Sequence, residues 1–540
     1  MAIYLHRIRW RFAGWLVAAV LTLLHAWMLY RLAVNFPLQD DFTQFLTVPR
    51  DIDDLPTVGG KIAYLISSSG DHRILTLRLA ALIQAKVVGE INFRTLVFWG
   101  NLLCATAGVL VLSAARAEFR PWLAALLATL IFSVSNWLPQ YWASASLQHY
   151  SLLAYAFGAI FCLTRPALSW QAGALFLALC AAMTGANGLM VFPIGAALLY
   201  RLGKRRTSFL WFVLAVVIFA LYFIDYRVPP GRPPPLQSLQ HPIRLVLLAL
   251  GTLGSVSDRF MAAVAIGSIL IVVWTWLIVH FRARPVPLSL LAWMALLLLC
   301  AATIAFGRAP FGNDAILNSR YRVYSEMAIF ITLTAVLWRV QPRQGNRLLL
   351  ILSPIAAIWF WQSWTSNLPP LEELITQQTT SLTHWSLTGQ GIYRGFPPQD
   401  VTDSLLERAY DDGYFRPSNP SGSVATLIES DSLLVQAGNL SLWSDVPIVD
   451  ARSITMRGFA RANEPRIVFW LEGNRRLFHG ELQTKRLWNP IGRDWVIFWN
   501  TSLLDGVAPG RYRSGYSSGS AWPPVVTWTD NWVEIKAPVR

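Results

Sequence analysis

Apolar runs of membrane-crossing length alternate with short basic breaks over the first two thirds of the chain, and this alternation predicts a bundle of spanning helices. The first run covers residues 12–34, and later runs lie near 94–115, 122–138, 147–164, 167–184, 186–200, 208–226, 259–280, 286–306, 322–340 and 347–365. That makes about eleven spans. Residues 243–257 are apolar but too short and of the wrong parity to cross; the pattern predicts an interfacial or re-entrant helix there. Between the first two spans, residues 35–92 form a long polar loop, and within it 74–83 has helical apolar spacing interrupted by Arg78, as in a helix lying at the membrane interface. The proline-rich stretch 229–235 reads as a stiff connector.

Charge then orients the bundle. His6, Arg7, Arg9 and Arg11 precede the first span, and the breaks at 116–120, 165, 201–206, 280–284 and 339–343 are basic. The positive-inside rule puts all of these, with the N-terminus, on the cytoplasmic side, and the 35–92 loop outside. The formal net charge of +15 therefore reports topology rather than a nucleic-acid surface. A composition that is 54% hydrophobic and only 14% charged, with 25 tryptophans, excludes a soluble enzyme. The first run is long enough to span and no small-residue cleavage pattern follows, so it is expected to act as a signal anchor. Cys104, Cys162, Cys180 and Cys300 all fall in apolar segments without metal-ligand spacing and read as packing residues.

Beyond residue 365 the pattern changes. Residues 366–540 contain no span-length run, and strand-like pieces at 466–471, 495–499 and 525–528 predict a small external β-sandwich. Its tryptophans suit either sugar stacking or an ordinary core and membrane-interface role. Residues 366–430 carry few strand signals and are expected to wrap between membrane and sandwich.

The candidate chemistry gathers on the outer side. Asp40 and Asp41 stand where the first span ends, and carboxylates there must be hydrated, paired or metal-bound, so they form a candidate site, with a divalent cation as a candidate cofactor. Asp71-His72-Arg73, Gln140, Gln148-His149, Gly307-Arg308 and Ser319-Arg320-Tyr321 lie at the same level of the membrane. His72, Arg73, His149, Arg308, Arg320 and Tyr321 suit a phosphate, since guanidinium forks match its oxygens. A carboxylate at that level is placed to take a proton from an attacking hydroxyl. Other motifs have plainer readings: Asp51-Ile52-Asp53 matches a metal-binding DxD pattern by chance, Asn187-Gly188 makes a tight turn, Arg227 and Arg244 anchor helices to headgroups, and Glu326 forms a salt bridge with Arg322 one turn earlier.

The acid after the first span, the interfacial helix and the external C-terminal domain resemble the GT-C superfamily of polyprenyl-phosphate-sugar-dependent glycosyltransferases. Asp40-Asp41, Asp71-His72-Arg73, Gly307-Arg308 and Ser319-Arg320-Tyr321 are similar to the pattern of its bacterial members, including mycobacterial arabinofuranosyltransferases. The resemblance covers residues 10–365. It implies a GT-C-like catalytic part over 1–365, a β-rich, carbohydrate-binding part over 366–540, and an inverting transfer in which Asp40 or Asp41 is the general base, with Asp41 preferred. It further implies a polyprenyl-phosphate sugar donor, with a lean toward pentofuranose, and a glycan, lipid or protein acceptor such as a pilin. The enzyme is expected in the bacterial cytoplasmic membrane among lipids, with its site facing the periplasm and no nucleic-acid partner. A lipid-linked sugar transporter and a non-enzymatic envelope assembly protein are the rival readings.

Overall fold

A computed structural model describes residues 2–70, 72–224, 235–280, 285–388, 398–416, 441–444, 448–449, 453–461, 467–473, 476–487, 495–503, 510–518 and 527–535. Asp71, Arg227 and residues 229–234 of the connector lie outside these. The chain divides into a helical unit, Met1–Ala33 with Thr43–Leu371, and a second unit, Val34–Phe42 with Glu372–Arg540.

In the helical unit, eight helices among the described residues are long and apolar enough to cross a membrane: Arg11–Leu32, Phe93–Ser113, Arg120–Tyr141, Ala143–Leu163, Arg205–Tyr222, Phe260–Val279, Leu288–Phe311 and Pro342–Leu371. The other three expected spans are helices that fall short for different reasons. Leu168–Ala182 and Val191–Arg201 have only 15 and 11 residues, separated by the 3₁₀ turn Ala186–Met190. Gly188 sits in that turn because a Cβ there would lie 2.0 Å from the Ala181 carbonyl oxygen. Arg322–Arg339 has 18 residues but carries Arg322, Glu326 and Arg339, all buried, so it is a helix walled in by protein rather than by lipid. The short apolar segment is the helix Pro242–Leu253. Together these helices enclose one apolar core that includes Tyr150, Phe157, Trp293 and Phe330.

The loop after the first span is ordered by a buried cation. Arg78, on the helix Leu75–Ile83, is 7% exposed. Its Nη1 donates to the carbonyls of Tyr64 (2.5 Å), Leu65 (3.3 Å) and Ser67 (2.8 Å), and its guanidinium lies 4.7 Å from the centre of the Tyr64 ring. Arg78 thus supplies donors to the orphan carbonyls that end the helix Val58–Ile66, a task different from interrupting an interfacial face. Burial lowers its pKa, and burial with the hydrogen bond to Asp51 (2.7 Å) pushes the Tyr64 phenol up to about 12.

The second unit mixes helix and sheet. The stretch expected to be irregular begins as helix: Pro342–Thr388 runs on past the membrane part, with Leu374, Gln378, Ser381, Leu382 and Trp385 buried at helical spacing. Trp385 meets Tyr410 and Phe415 at 5.6 and 6.2 Å, Phe415 meets Phe36 at 6.5 Å, and Gln378 Nε2 donates to the Phe36 carbonyl at 3.2 Å.

Two short strands of the helical unit, β1 (Ser68–Ser69) and β2 (His72–Arg73), form a small hairpin. The strands of the second unit are β3 (Ser441–Ser444), β4 (Ile448–Val449), β5 (Ser453–Arg461), β6 (Ile467–Gly473), β7 (Arg476–Leu487), β8 (Trp495–Leu503), β9 (Gly510–Ser518) and β10 (Thr527–Ile535). They pair antiparallel in the order β10-β9-β6-β7-β8-β5-β3, with β4 also on β5. In place of two separate sheets the ladder is continuous, because β7 pairs with β6 through 476–482 and with β8 through 483–487. On the last hairpin Arg511 and Arg513 lie 4.8 and 5.8 Å from the rings of Trp532 and Trp528.

Replacing Arg78 by Met keeps the stem and strands the three carbonyls. It is expected to cost about 1–3 kcal/mol and to speed proteolysis between residues 55 and 67, read by limited digestion in detergent.

Candidate active site

Five of the six residues expected to bind phosphate come together in the helical unit, at the joint between Leu288–Arg308 and Arg322–Arg339. The chain turns there through short 3₁₀ segments. Ala309–Phe311 is held by Pro310, Gly312 follows at φ +102°, and the Asn318 side chain accepts the Arg320 backbone N–H at 3.2 Å to start Ser319–Tyr321. This brings Arg308 and Tyr321 into register, so that Arg308 Nε donates to the Tyr321 hydroxyl at 2.8 Å. Arg320 lies 5.1 Å from the centre of the Tyr321 ring. Its Nε is buried with no hydrogen-bond partner among the described residues.

His149 completes the group from another direction. It sits in the π-helical turn Ser146–Tyr150, a local widening common at functional sites. Gly100 allows that turn its close approach, since a Cβ at 100 would fall 2.0 Å from Ser146 Oγ. The imidazole packs edge-on to Tyr321 and Tyr324 at 5.6 and 5.9 Å, and its Nδ1 is 3.2 Å from the Tyr324 hydroxyl. Arg320, His72 and Arg308 are all near enough for their charges to act on it. Thr303 Oγ1 bonds to Asn187 Oδ1 at 2.7 Å and to the Cys300 carbonyl at 2.8 Å. Asn187, Thr303 and Tyr324 were not predicted as site residues; their only sequence signal is polarity within apolar runs.

Arg73 has another task. Its Nε and both Nη donate to the carbonyls of Ile66, Leu221, Tyr222 and Ile224, clasping the end of Arg205–Tyr222. The expected Arg322–Glu326 salt bridge is also absent. Arg322 pairs with Asp258 at 2.7 Å, and the fully buried Glu326 accepts from Ser135 Oγ at 2.6 Å and from Asn136 Nδ2. Gln140 serves the backbone too, its amide donating to the carbonyls of Ile131 and Ser133. The carboxylates of Asp51-Ile52-Asp53 point to separate partners, Asp51 to the Tyr64 hydroxyl and Asp53 to Lys86 Nζ at 2.6 Å.

No protein-family model, curated protein or solved structure matches the chain.

The acidic pair belongs to the second unit. Gln39 has φ +48°, the only positive φ outside glycine among the described residues. This folds Leu38–Asp41 into a closed turn in which the Asp41 N–H donates to the Leu38 carbonyl at 2.9 Å and the Leu38 N–H donates to Asp41 Oδ2 at 3.0 Å. Asp41 is 1% exposed and Asp40 half-buried, so the two carboxylates differ in surroundings although adjacent in sequence. Backbone held at positive φ by a non-glycine residue is a mark of functional loops. Among the described residues no three His, Cys, Asp or Glu side chains gather as metal ligands.

Glu326→Leu leaves two buried donors unpaired and is expected to cost about 1–3 kcal/mol, with Glu326→Gln milder. Thermal unfolding in detergent ranks the two.

Proposed function

We propose that this protein is an integral-membrane inverting glycosyltransferase that moves a sugar from a polyprenyl monophosphate to a periplasmic glycan, lipid or protein acceptor. The observation that supports this reading most is the gathering of Arg308, Arg320, His149, His72 and Tyr321 at one joint of the helical unit, with apolar helix faces beside it for a lipid tail. Two guanidinium groups and an imidazole make a cationic cluster suited to the phosphodiester of the donor and to the phosphate monoester that leaves.

In this reading the acceptor hydroxyl attacks the anomeric carbon. The bond from that carbon to the phosphate oxygen breaks, its electron pair leaves with polyprenyl phosphate, and the hydroxyl proton passes to a carboxylate. Arg308 and Arg320 hold the departing phosphate, His149 bonds to it through its imidazole, and Tyr321 fixes Arg308. Asp41 takes the base role from its position just after the first span, with Asp40 orienting the acceptor. Arg73 is left out, its donors being spent on carbonyls. The membrane is then the bacterial cytoplasmic membrane, with the N-terminus inside and the helix joint outside. Pentofuranose remains the preferred donor sugar from the resemblance alone.

Purified protein in detergent, given synthetic polyprenyl-phosphate sugars, is expected to release polyprenyl phosphate. Asp41→Asn should lower kcat by about 10²–10⁴-fold with donor KM little changed. Arg308→Gln should instead raise donor KM about tenfold or more, the loss of a charge-assisted contact. Failure of well-folded protein to cleave any donor overturns the reading.

A further inference from the structure

The helical unit holds a second polar site whose residues are separate from the phosphate cluster. It is a half-open cleft of about 400 Å³ where the starts of Phe260–Val279 and Arg322–Arg339 meet the helix beginning at Pro342. One wall is Arg322, 7% exposed, whose Nη2 is paired with Asp258 at 2.7 Å and whose Nη1 donates to Asn367 Oδ1 at 2.9 Å and the Ser135 carbonyl at 3.3 Å. Its Nε is buried without a partner among the described residues, as is the hydroxyl of Ser363, 6% exposed, on the opposite lining. A buried polar atom without a partner costs about 1–3 kcal/mol, and two of them lining one cleft mark the place where a ligand supplies partners. Trp359 adds an aromatic side chain to the same lining.

The chemistry selects the occupant. Arg322 Nε needs an acceptor, the Ser363 hydroxyl takes either role, and adjacent sugar hydroxyls offer both to each. An aromatic face beside such groups is the usual platform for a sugar ring. Asp258 neutralises Arg322 and the exposed Arg259 adds a cation to the lining, so the aromatic side chain beside hydroxyl-bonding groups, rather than net charge, selects the occupant. We propose that this cleft binds a neutral saccharide, with Arg322 and Ser363 bonding its hydroxyls and Trp359 stacking on its ring. Its use as the acceptor subsite rests on the transferase reading above; the binding itself does not.

The test is saturation-transfer NMR on the full chain in detergent, with neutral pento- and hexo-oligosaccharides as probes and inorganic phosphate as competitor. Ser363→Ala and Trp359→Leu, both still showing the wild-type unfolding temperature, are expected to weaken saccharide binding fivefold or more, and phosphate is expected not to compete. Arg322→Lys serves as a third variant, since it keeps the charge but lacks Nε. No saccharide binding by wild type, binding indifferent to all three variants, or displacement by phosphate overturns the inference. Donor cleavage measured separately keeps the two readings apart: cleavage without saccharide binding rejects the cleft alone, and binding without cleavage rejects the transferase alone.

Discussion

A polar group removed from water has to find a partner, and most of the order in the helical unit follows from that single requirement. Arg78 feeds the carbonyls ending one helix, Arg73 those ending another, and Arg116 donates to the carbonyls of Leu337 and Val340. Arg339 donates to His280 O. Each cation stands where a helix exposes its negative end, so charge and hydrogen bonding act in the same sense. His25 is likewise buried against Asn101 at 3.1 Å, and Asn101 in turn donates to the carbonyls of Val97 and Gln140. Arg308 and Arg320 are different: among the described residues neither side chain bonds to a backbone carbonyl.

That sorting sets Arg308 and Arg320 apart. Both lie against the Tyr321 ring, and Arg308 is bonded to its hydroxyl, so two like charges are held close by an aromatic group rather than by a carboxylate. A pair of cations without an anion between them is costly in isolation and favourable once an anion arrives. In the proposed reaction the donor is a phosphodiester carrying one negative charge, and the polyprenyl phosphate that leaves is the more highly charged species.

The apolar periodicity carried the fold well. Residues 74–83, 243–257 and the later runs became helices close to their expected limits, and the strand pieces near 467, 495 and 527 became strands. It misled where polar residues occupy a buried stripe. Gln378 and Ser381 hid the continuation of the long helix, and the apolar spacing of Arg322–Arg339 gave no sign that Arg322, Glu326 and Arg339 are all buried in protein. For the candidate site, residue type grouped Arg73, Arg308 and Arg320 together: Arg73 and Arg308 look alike in sequence, and only the carbonyls of Leu221, Tyr222 and Ile224, about 150 residues away, separate them. Tyr324, Asn187, Asp258 and Asn367 stood out in sequence at most as polar residues near or within apolar runs, because their contacts are with distant segments.

Cys104, Cys162 and Cys300 are buried and Cys180 is half-buried, none of them disulfide-bonded. The Cys300 thiol is further turned toward the Asn187 carbonyl, and burial of this kind keeps thiol reagents from reaching the sulfur. The native chain is thus close to silent toward thiol reagents. A single cysteine placed on an exposed loop would carry a spin label or fluorophore almost alone, which makes the intact wild-type background, with no native cysteine removed, suitable for labelling spectroscopy.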